Sequence, residues 1–471
     1  MTVAAFPSRS PGSGRSLPSD NDHDFVVLGG GMAGLTFALE ASRRGRRVVL
    51  LESEDQLGGL ARTLRFGDFR FDIGGHRFHS RWSEITQWVL DVLDGDAREV
   101  ARRSRIRLDG RYVEYPLRFP NALAAFNPWQ VTRILASYFW ATVRRLRKRP
   151  EVSFEDWIVR RFGRSLFDIY FKPYTEKVWG FPCAELSADW AVQRIRLPSL
   201  SAAVVGSLFR RPAAPSGLVS RFLYPPLGIG AIPERIAEKA RQTGLATIRQ
   251  GCRVIHVEPE GASGGWRVIF RGAEGEATVI GARLVSTIPL EALLGMLPIP
   301  EAESGVLAAG LPYRSLTCVF LAVDGPRISN DTWTYFPDRH LVFGRTHEPG
   351  NWSPGMVPEG KTSLCVEIFC SQGDEVWRSS DQDAIESVVS DLDRLRFLPR
   401  SRVREAWVLR VSHAYPAYRL GYAAHCSRVR SALSRWSTLH LLGRTGTFRY
   451  LNLDAVIREG LYLAGSLCEK L

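Results

Sequence analysis

The sequence predicts an α/β fold made of a Rossmann-type domain, a helical insertion and a second domain built on an antiparallel sheet. Three observations support this prediction. The predicted ordered part of the chain opens with a strand, a glycine-rich turn, a helix and another strand; the middle of the chain is rich in helical segments; and its last third contains alternating, strand-like segments. At 471 residues the chain is too long for one ordinary core, so we expect two or three subdomains.

The opening stretch, FVVLGGGMAGLTFALEASRRGRRVVLLES, predicts a strand, a helix and a second strand over Phe25–Leu28, Met32–Arg44 and Val48–Leu51. Gly29, Gly31 and Gly34 have the spacing G-x-G-x-x-G. Gly29 permits a tight turn, Gly31 lets backbone approach a pyrophosphate, and Gly34 lets helix pack closely on strand. Glu52 follows 18 residues after Gly34, where a carboxylate can accept ribose hydroxyls. The alternative is a glycine turn that binds nothing, but the complete order favours a dinucleotide site.

A second stretch, GGLARTLRFGDFRFDIGGHRFHS, narrows the choice of dinucleotide. It contains two glycine pairs, Gly58–Gly59 before Arg62 and Gly74–Gly75 before His76. An NAD enzyme does not need them, whereas a bound flavin needs backbone along both its pyrophosphate and its ring. Residues 58–62 resemble the second glycine motif of FAD enzymes of the amine oxidase and protoporphyrinogen oxidase type. The resemblance implies FAD as a fixed cofactor and makes the Rossmann-type domain an FAD-binding domain.

We therefore expect an FAD site assembled from several parts of the chain. The predicted cofactor-binding residues are Gly29, Gly31, Met32, Ala33, Gly34, Glu52, Ser53, Gly58, Gly59, Leu60, Ala61, Arg62, Gly74, Gly75, His76, Val254, Gly443, Arg444, Asn452, Leu453 and Asp454. A helix is predicted to start near Asp454 in the closing segment. His76 could instead only cap a turn, but the double glycine before it favours a place beside the flavin ring.

Composition and cysteine spacing limit the partners and the location. The net charge of +13 suits anionic partners such as nucleotides, pyrophosphates or acidic lipid surfaces. No RNA- or DNA-binding motif appears, so we predict no nucleic-acid partner. The seven cysteines are scattered and none forms C-x-x-C. This spacing predicts reduced, buried thiols, no metal site and a cytoplasmic location.

Two segments bear on targeting and membranes. Residues 1–21 are rich in Ser, Pro, Gly and Arg and lack the apolar core of a signal peptide, so a disordered tail is predicted. No run is long enough to span a bilayer. The segment WQVTRILASYFWATVRRLRKRP, from Trp129 to Pro150, interleaves apolar and basic residues. We favour an ordinary amphipathic helix with a solvated basic face, and peripheral membrane contact is the alternative.

The predicted FAD-binding domain is discontinuous, because its motifs lie near both ends of the chain. Residues 81–225 form a predicted helix-rich substrate region, and 296–435 a predicted sheet-rich substrate domain. The predicted parts of the FAD-binding domain are 22–80, 226–295 and the closing segment 436–471.

The remaining motifs resemble those of the UDP-galactopyranose mutase family. KPYTEKVWG matches that family's P-Y-x-x-K-V-W stretch, and Tyr115–Pro116 precedes Asn121 as the family's Y-P pair precedes an Asn. Gly74–His76 matches a Gly-Gly-His loop against the flavin, and GRTGTFRYLNLDAVIREG matches the closing segment. The motifs keep the family's order over nearly the whole chain, although related sequences include protoporphyrinogen oxidase-like proteins.

This resemblance implies a nucleotide-sugar substrate, and leaves NAD(P)H open as the reductant. It implies that reduced flavin attacks the anomeric carbon through N5 while UDP leaves, and that the sugar changes between pyranose and furanose forms without net oxidation. Arg327 matches one pyrophosphate arginine, and Lys172 stands where fungal-type enzymes carry the other. The predicted catalytic residues are Arg327, Lys172, His76 and Arg444. The predicted substrate-binding residues are Tyr115, Asn121, Tyr174, Trp179, Tyr335, Tyr415 and Tyr450.

Other interpretations stay open at this point. Arg327 could be an exposed loop arginine, and Tyr174 and Trp179 could equally belong to the core. An FAD-dependent oxidoreductase, either an oxidase or a desaturase with an apolar or amine substrate, is the second interpretation of the whole chain. A flavin-containing binding protein without turnover is the third. The basic and tyrosine-rich motifs favour the mutase, because an apolar substrate would not need them.

Overall fold

The computed structural model of this chain describes residues 23–108, 110–115, 126–145, 150–195, 220–261 and 264–469. The predicted tail over 1–21 and the predicted substrate residue Asn121 lie outside the described residues. Two large sheets, with helices packed on them, build the described part of the molecule. The predicted α/β fold class is confirmed.

The described part of the chain contains parallel and antiparallel strands. In chain order they are β1 (His23–Leu28), β2 (Val48–Leu51), β3 (Thr63–Phe66), β4 (Phe69–Asp72), β5 (Arg98–Ala101), β6 (Ser104–Leu108), β7 (Arg111–Glu114), β8 (Arg221–Tyr224), β9 (Ala246–Arg249), β10 (Arg253–Glu260), β11 (Gly265–Gly272), β12 (Gly275–Ser286), β13 (Tyr313–Asp324), β14 (Trp333–Tyr335), β15 (Arg345–His347), β16 (Lys361–Cys370), β17 (Val403–Pro416) and β18 (Leu439–Leu441).

The helices lie between and after these strands. They are α1 (Met32–Arg43), α2 (Ser83–Val92), α3 (Pro128–Arg144), α4 (Phe154–Phe162), α5 (Arg164–Leu166), α6 (Lys172–Trp179), α7 (Ala188–Arg194), α8 (Ala231–Gln242), α9 (Leu290–Met296), α10 (Glu301–Ala309), α11 (Glu375–Arg378), α12 (Asp381–Arg394), α13 (Tyr422–Leu433), α14 (Gly443–Gly446) and α15 (Leu453–Cys468). A π-helical segment, Phe167–Phe171, joins α5 to α6.

The first sheet contains the strand–turn–helix–strand pattern predicted from the sequence. Its order is β10-β11-β12-β1-β2-β9, and β18 also pairs with β12. The central strand β1 runs parallel to β2, with Val26 opposite Val49. Phe25 and Val27 join the core that contains α1, whereas Val26 and Leu28 join the core that contains α4. Both faces of β1 are therefore buried, which explains its continuous apolar sequence.

Three distant parts of the chain build this first sheet. They are residues 23–51, 246–286 and 439–441. The closing helix α15 packs directly on α1, where a Cβ on Gly460 would lie 3.1 Å from the Thr36 side chain. Glycine allows this close contact, which brings the end of the chain to the first glycine turn.

The second sheet has the order β17-β13-β16-β15-β14-β6-β7. The central strand β13 pairs antiparallel with both β16 and β17, and its residues from Arg314 to Val323 are buried. Two of its strands, β6 and β7, come from the region 81–225 that was predicted to be helix-rich. That region thus contributes strands to the substrate-side sheet as well as the helices α2 to α7.

Candidate active site

The first glycine turn joins β1 to α1. Gly29 has a φ of +96°, a left-handed conformation that favours glycine. A Cβ on Gly34 would lie 2.1 Å from the carbonyl oxygen of Gly29, so helix and strand approach too closely for any other residue. A Cβ on Gly31 would have Gly59 Cα, at 4.0 Å, as its nearest neighbour. The space beside Gly31 is therefore open, and a ligand can approach the backbone there.

The second glycine turn lies directly against the first. Gly31 and Gly58 form an isolated parallel bridge, and the Gly58 N–H donates to the carbonyl oxygen of Gly30 at 2.8 Å. Met32 and Ala33 follow as the first residues of α1, where N–H groups have no acceptor within their own helix. Together these features make a groove of open backbone that suits an anionic diphosphate.

The residues after Gly58 continue this groove. Gly59, Leu60 and Ala61 form one 3₁₀ turn. Arg62 follows it, and its Nη1 lies 3.5 Å from a carboxylate oxygen of Glu54. Its Nε is buried and has no hydrogen-bond partner among the described residues. Arg62 can therefore still donate to a bound anion.

Glu52 ends β2 with a buried carboxylate beside the glycine turns. One of its oxygens accepts the Gly30 N–H at 2.6 Å, and the other accepts the Glu54 N–H at 2.9 Å and the Ser53 hydroxyl at 3.2 Å. A carboxylate has about four lone-pair positions, so acceptor capacity remains for ribose hydroxyls. The backbone of Cys252 donates to the Glu52 carbonyl oxygen at 2.7 Å, and Val254 is buried two residues later in β10. The structure thus brings Val254 to the Glu52 side of the site.

The closing segment meets α1 at the same place. Gly443 has a φ of +80°, and a Cβ there would lie 2.7 Å from the Ala33 side chain. Asn452 is the N-cap residue of α15, and Leu453 and Asp454 begin that helix. A second helix N-terminus therefore belongs to the group of predicted FAD-binding residues.

The glycine pair Gly74–Gly75 lies under the second sheet. Gly74 has a φ of +72°, and a Cβ on it would lie 3.2 Å from a carboxylate oxygen of Glu367 on β16. A Cβ on Gly75 would lie 3.8 Å from Trp352. Gly74 therefore lets the loop that carries His76 run directly against the buried Glu367.

His76 is held as a neutral imidazole. Its Nδ1 lies 2.6 Å from the carbonyl oxygen of Ile73, a contact in which Nδ1 carries the proton and donates. Burial, and then the nearby positive charge of Arg444, lower the pKa of His76 to about 4. Near neutral pH, Nε2 therefore has a free lone pair that can accept a proton or a hydrogen bond.

Arg444 lies over two aromatic rings. Its guanidinium carbon is 4.8 Å from the ring centre of Tyr415 and 4.2 Å from that of Tyr450. The two rings are nearly parallel, with an interplanar angle of 6° and centres 6.0 Å apart. Nε and Nη2 of Arg444 are buried without a hydrogen-bond partner among the described residues. Arg444 is thus a half-buried cation, two of whose nitrogens are buried and lack an acceptor among the described residues.

The predicted substrate tyrosines come together from separate elements. Tyr335 on β14 packs against Tyr115 with ring centres 4.7 Å apart, and against Tyr174 of α6 at 5.7 Å. Trp179, at the end of α6, is buried and lies 6.4 Å from the Tyr415 ring. Trp179 is therefore a core residue that also backs the tyrosine cluster.

Sequence reasoning missed Arg345 and Glu367, which lie within this cluster. They are cross-strand partners on β15 and β16, and Arg345 Nε donates to a Glu367 oxygen at 2.7 Å. Arg345 Nη2 lies 3.3 Å from the Tyr415 hydroxyl. Burial raises the pKa of Glu367, but Arg345 and His347 outweigh this effect and hold it at about 2. Nothing local distinguishes Arg345 in the sequence, because its place depends on a strand pairing across 22 residues.

The structure does not bring Arg327 or Lys172 into this cluster. Arg327 is exposed on the loop after β13, whereas Tyr415 pairs with Arg314 near the start of that strand. Ten residues of strand separate Arg314 from the end of β13, a span of about 33 Å. Lys172 precedes Tyr174 by two residues on α6, so their side chains leave the helix about 200° apart. The interpretation of Arg327 as an exposed loop arginine agrees with its position.

Metal sites, disulfides and membrane-spanning helices are further features to consider for the residues that the structure describes. No group of three or more His, Cys, Asp or Glu residues there could hold a metal ion. All seven cysteines are buried and free of disulfides. No helix in the same ranges is long and apolar enough to cross a membrane.

Solved structures of flavoenzymes share this fold. The crystal structure of reduced UDP-galactopyranose mutase matches with a TM-score of 0.83 and 24% sequence identity, and the match covers 95% of this chain and 96% of that one. Putrescine oxidase bound to putrescine matches with a TM-score of 0.66 and 16% identity over 95% of this chain and 99% of that one. Identities this low establish the fold and leave the reaction open.

Relatives and the family model extend the comparison to sequence. Pseudooxynicotine dehydrogenase from Pseudomonas sp. is 36% identical over 80 residues, which is only 16% of this chain and 16% of that protein. The model of the family described as flavin containing amine oxidoreductase matches residues 32–470. This match confirms the prediction of an FAD-dependent enzyme and the predicted resemblance to the amine oxidase-like flavoproteins. The chain therefore belongs to the flavin containing amine oxidoreductase family.

Proposed function

We propose that this chain is an FAD-dependent mutase that interconverts the pyranose and furanose forms of a nucleotide sugar. The observation that carries the proposal is Arg444, whose Nε and Nη2 are buried without an acceptor in the described chain. Buried guanidinium nitrogens without an acceptor are costly unless a ligand supplies the opposite charge. A pyrophosphate offers the bidentate acceptor that a guanidinium fits best.

The residues around the glycine turns fit FAD. The space beside Gly31 is open, Glu52 has spare acceptor capacity, and Arg62 Nε is a buried donor without a partner among the described residues. We infer that the FAD pyrophosphate lies at the start of α1 and that its ribose binds Glu52. When bound in its reduced form, FAD supplies an electron-rich nitrogen nucleophile for attack on a sugar carbon.

The arginines and tyrosines would bind and orient the substrate diphosphate. Negative charge on the leaving diphosphate grows as its bond to the sugar breaks, so a fixed guanidinium stabilises the transition state more than the ground state. Arg345 would assist, because Glu367 holds its fork in place beside Tyr415. Burial raises the pKa of Tyr415 to about 12, so its hydroxyl stays protonated near neutral pH and can donate.

His76 would hold its proton on Nδ1 and keep Nε2 as an acceptor. The Ile73 carbonyl oxygen fixes this tautomer. A protonated His76 would place a second positive charge near Arg444, and burial disfavours that state. The neutral ring can therefore accept a hydrogen bond inside the site without disturbing the anion site at Arg444.

An FAD-dependent oxidoreductase is the second candidate, and family membership and the match to putrescine oxidase favour it. The site itself argues against an amine substrate. An ammonium group near the Tyr415 and Tyr450 rings would lie close to the Arg444 guanidinium, which is 4.8 Å and 4.2 Å from their centres. Like charges at that distance repel in a desolvated site.

Ligand binding to the FAD-loaded protein tests the proposal. Isothermal titration should show UDP binding at least about a hundredfold tighter than uridine, because only UDP carries the diphosphate that Arg444 requires. Putrescine should bind more weakly than UDP. Equal affinities for UDP and uridine, or tighter binding of putrescine, would contradict the proposal and support an oxidoreductase.

A further inference from the structure

Helix α3 has an exposed apolar surface. Trp129, Phe139 and Trp140 are 70%, 63% and 59% exposed, and Leu135 and Val143 are exposed as well. At 3.6 residues per turn, these five side chains occupy one arc of about 140° on the helix. We call this surface the α3 apolar arc. Five large apolar side chains on one arc exceed the scattered exposure that is normal for a protein surface.

Positive charge borders the α3 apolar arc. Arg133 and Arg144 are exposed, and helical spacing places both at one edge of the arc. The sequence of α3, PWQVTRILASYFWATVR, contains no acidic residue. An apolar face with a basic border is the pattern of a helix that lies in the plane of a membrane interface.

More positive charge lies at the C-terminal end of α3. Arg145, Arg160 and Arg161 line a cavity of about 450 Å³ there, together with Glu151. Arg160 and Arg161 share this one carboxylate, at 3.2 Å and 2.6 Å. Three arginines against one acid leave this end of the helix cationic, which attracts a negatively charged surface.

We propose that the α3 apolar arc docks on an anionic phospholipid bilayer. Trp129, Phe139 and Trp140 enter the interface, and Arg133 and Arg144 bind lipid phosphates. A second copy of the chain fits this surface less well. Arg133 and Arg144 lie six and five residues on either side of Phe139, so a two-fold helix pair centred there would bring arginine against arginine.

The buried side of α3 connects this surface to the candidate active site. Ile134 packs in one core cluster with Ile106, and Tyr115 and Tyr335 pack against the same cluster. Docking would therefore hold the substrate-side tyrosines close to the membrane surface, whichever reaction the site performs.

Sedimentation of the FAD-loaded protein with phospholipid vesicles tests this proposal. The parent should bind vesicles that contain phosphatidylglycerol much better than pure phosphatidylcholine vesicles. Arg133→Gln with Arg144→Gln should lower the partition coefficient by about fivefold for each arginine removed. Phe139→Ser with Trp140→Ser should lower it more than about tenfold. The matched control, Val306→Ser with Tyr462→Ser, replaces side chains that are 67% and 78% exposed elsewhere and should bind like the parent.

Three results would overturn the proposal. The parent could fail to sediment with the anionic vesicles. The Phe139→Ser, Trp140→Ser variant could bind as well as the parent, with unchanged FAD content and circular dichroism. In the third result, light scattering would show that the parent is a dimer and the Phe139→Ser, Trp140→Ser variant a monomer, and neither protein would bind vesicles. That result would assign the α3 apolar arc to contact with a second copy of the chain.

Discussion

At the scale of single residues, Arg444 and Arg327 differ in the surroundings of their charge. Arg444 packs over the rings of Tyr415 and Tyr450, and two of its nitrogens are buried without an acceptor in the described chain. Arg327 is exposed, so water solvates its guanidinium. A charge fixed in a desolvated site acts on a bound anion far more strongly than a surface charge does. The two arginines therefore form a matched pair for testing which one acts on the diphosphate.

Arg444→Ala should lose about a hundredfold to a thousandfold in turnover, the usual effect of removing one donor to a developing anion. Arg444→Lys should recover only part of this loss, because a point charge replaces a planar fork. Steady-state kinetics on UDP-galactopyranose would measure both effects, and flavin absorbance would show whether each variant still carries FAD.

Arg327→Ala serves as the control and should turn over like the parent. The opposite pattern, a large loss in Arg327→Ala and none in Arg444→Ala, would return the diphosphate role to Arg327 and contradict the assignment from geometry. If Arg444→Ala instead lost its FAD, the main role of the Arg444 side chain would be to bind the cofactor.

His76 makes stability depend on pH. Its folded pKa of about 4 lies below the ordinary value of 6.5, so the unfolded chain binds the proton more tightly. This contribution to stability is fully present above about pH 6.5 and is lost as the pH falls towards 4. His76→Asn, which can still donate to the Ile73 carbonyl oxygen, removes the titrating group. Between about pH 6.5 and 4.5 the parent should lose about 2 kcal/mol more unfolding free energy than the variant, as measured by urea denaturation. Equal losses in the two proteins would mean that folding does not lower the pKa of His76.

At the scale of elements, two glycines of the first glycine turn have different expected roles. Gly31 leaves room for the cofactor, and Gly34 lets α1 pack closely on β1. Gly31→Ala adds a Cβ whose nearest neighbour is 4.0 Å away, whereas Gly34→Ala adds one at 2.1 Å from the Gly29 carbonyl oxygen. The apoprotein with Gly31→Ala should unfold within about 0.5 kcal/mol of the parent yet bind FAD poorly. Gly34→Ala should destabilise the apoprotein by about 1–3 kcal/mol. Urea denaturation of apoprotein and FAD titration measure the two effects, and normal FAD binding by Gly31→Ala would move the cofactor away from this turn.

The same scale shows what the sequence could and could not predict. The turn at Gly29 and the helix α1 depend on nearby residues, so their spacing was sufficient to predict them. Arg345 gains its place through pairing with Glu367 on another strand, and β6 joins the second sheet through β14. Both depend on contacts between distant segments, which no local pattern encodes. For the same reason, the match to a family pyrophosphate arginine pointed to Arg327, although the fold leaves it exposed.

At the scale of the whole molecule, the two large sheets present different parts of the candidate active site. The first sheet and its helices α1 and α15 present the glycine turns and Glu52. The second sheet presents Arg345, Tyr335 and Tyr415. The closing segment belongs to the first sheet through β18 and carries Arg444 to the tyrosines of the second. The proposed reaction takes place where the two sheets meet, so cofactor and substrate residues depend on each other's placement.

The number of product molecules formed per flavin tests this account most directly. FAD-loaded protein is reduced with one equivalent of dithionite without oxygen, mixed with excess UDP-galactopyranose, and its products are separated by chromatography. A mutase regenerates the reduced flavin in every cycle, so we expect many molecules of the furanose form per flavin, and none with the oxidised protein. An oxidoreductase changes the flavin's redox state in each cycle and stops after one turnover without a fresh electron partner. No more than one product per reduced flavin, or product formation that consumes oxygen in proportion, would contradict the mutase.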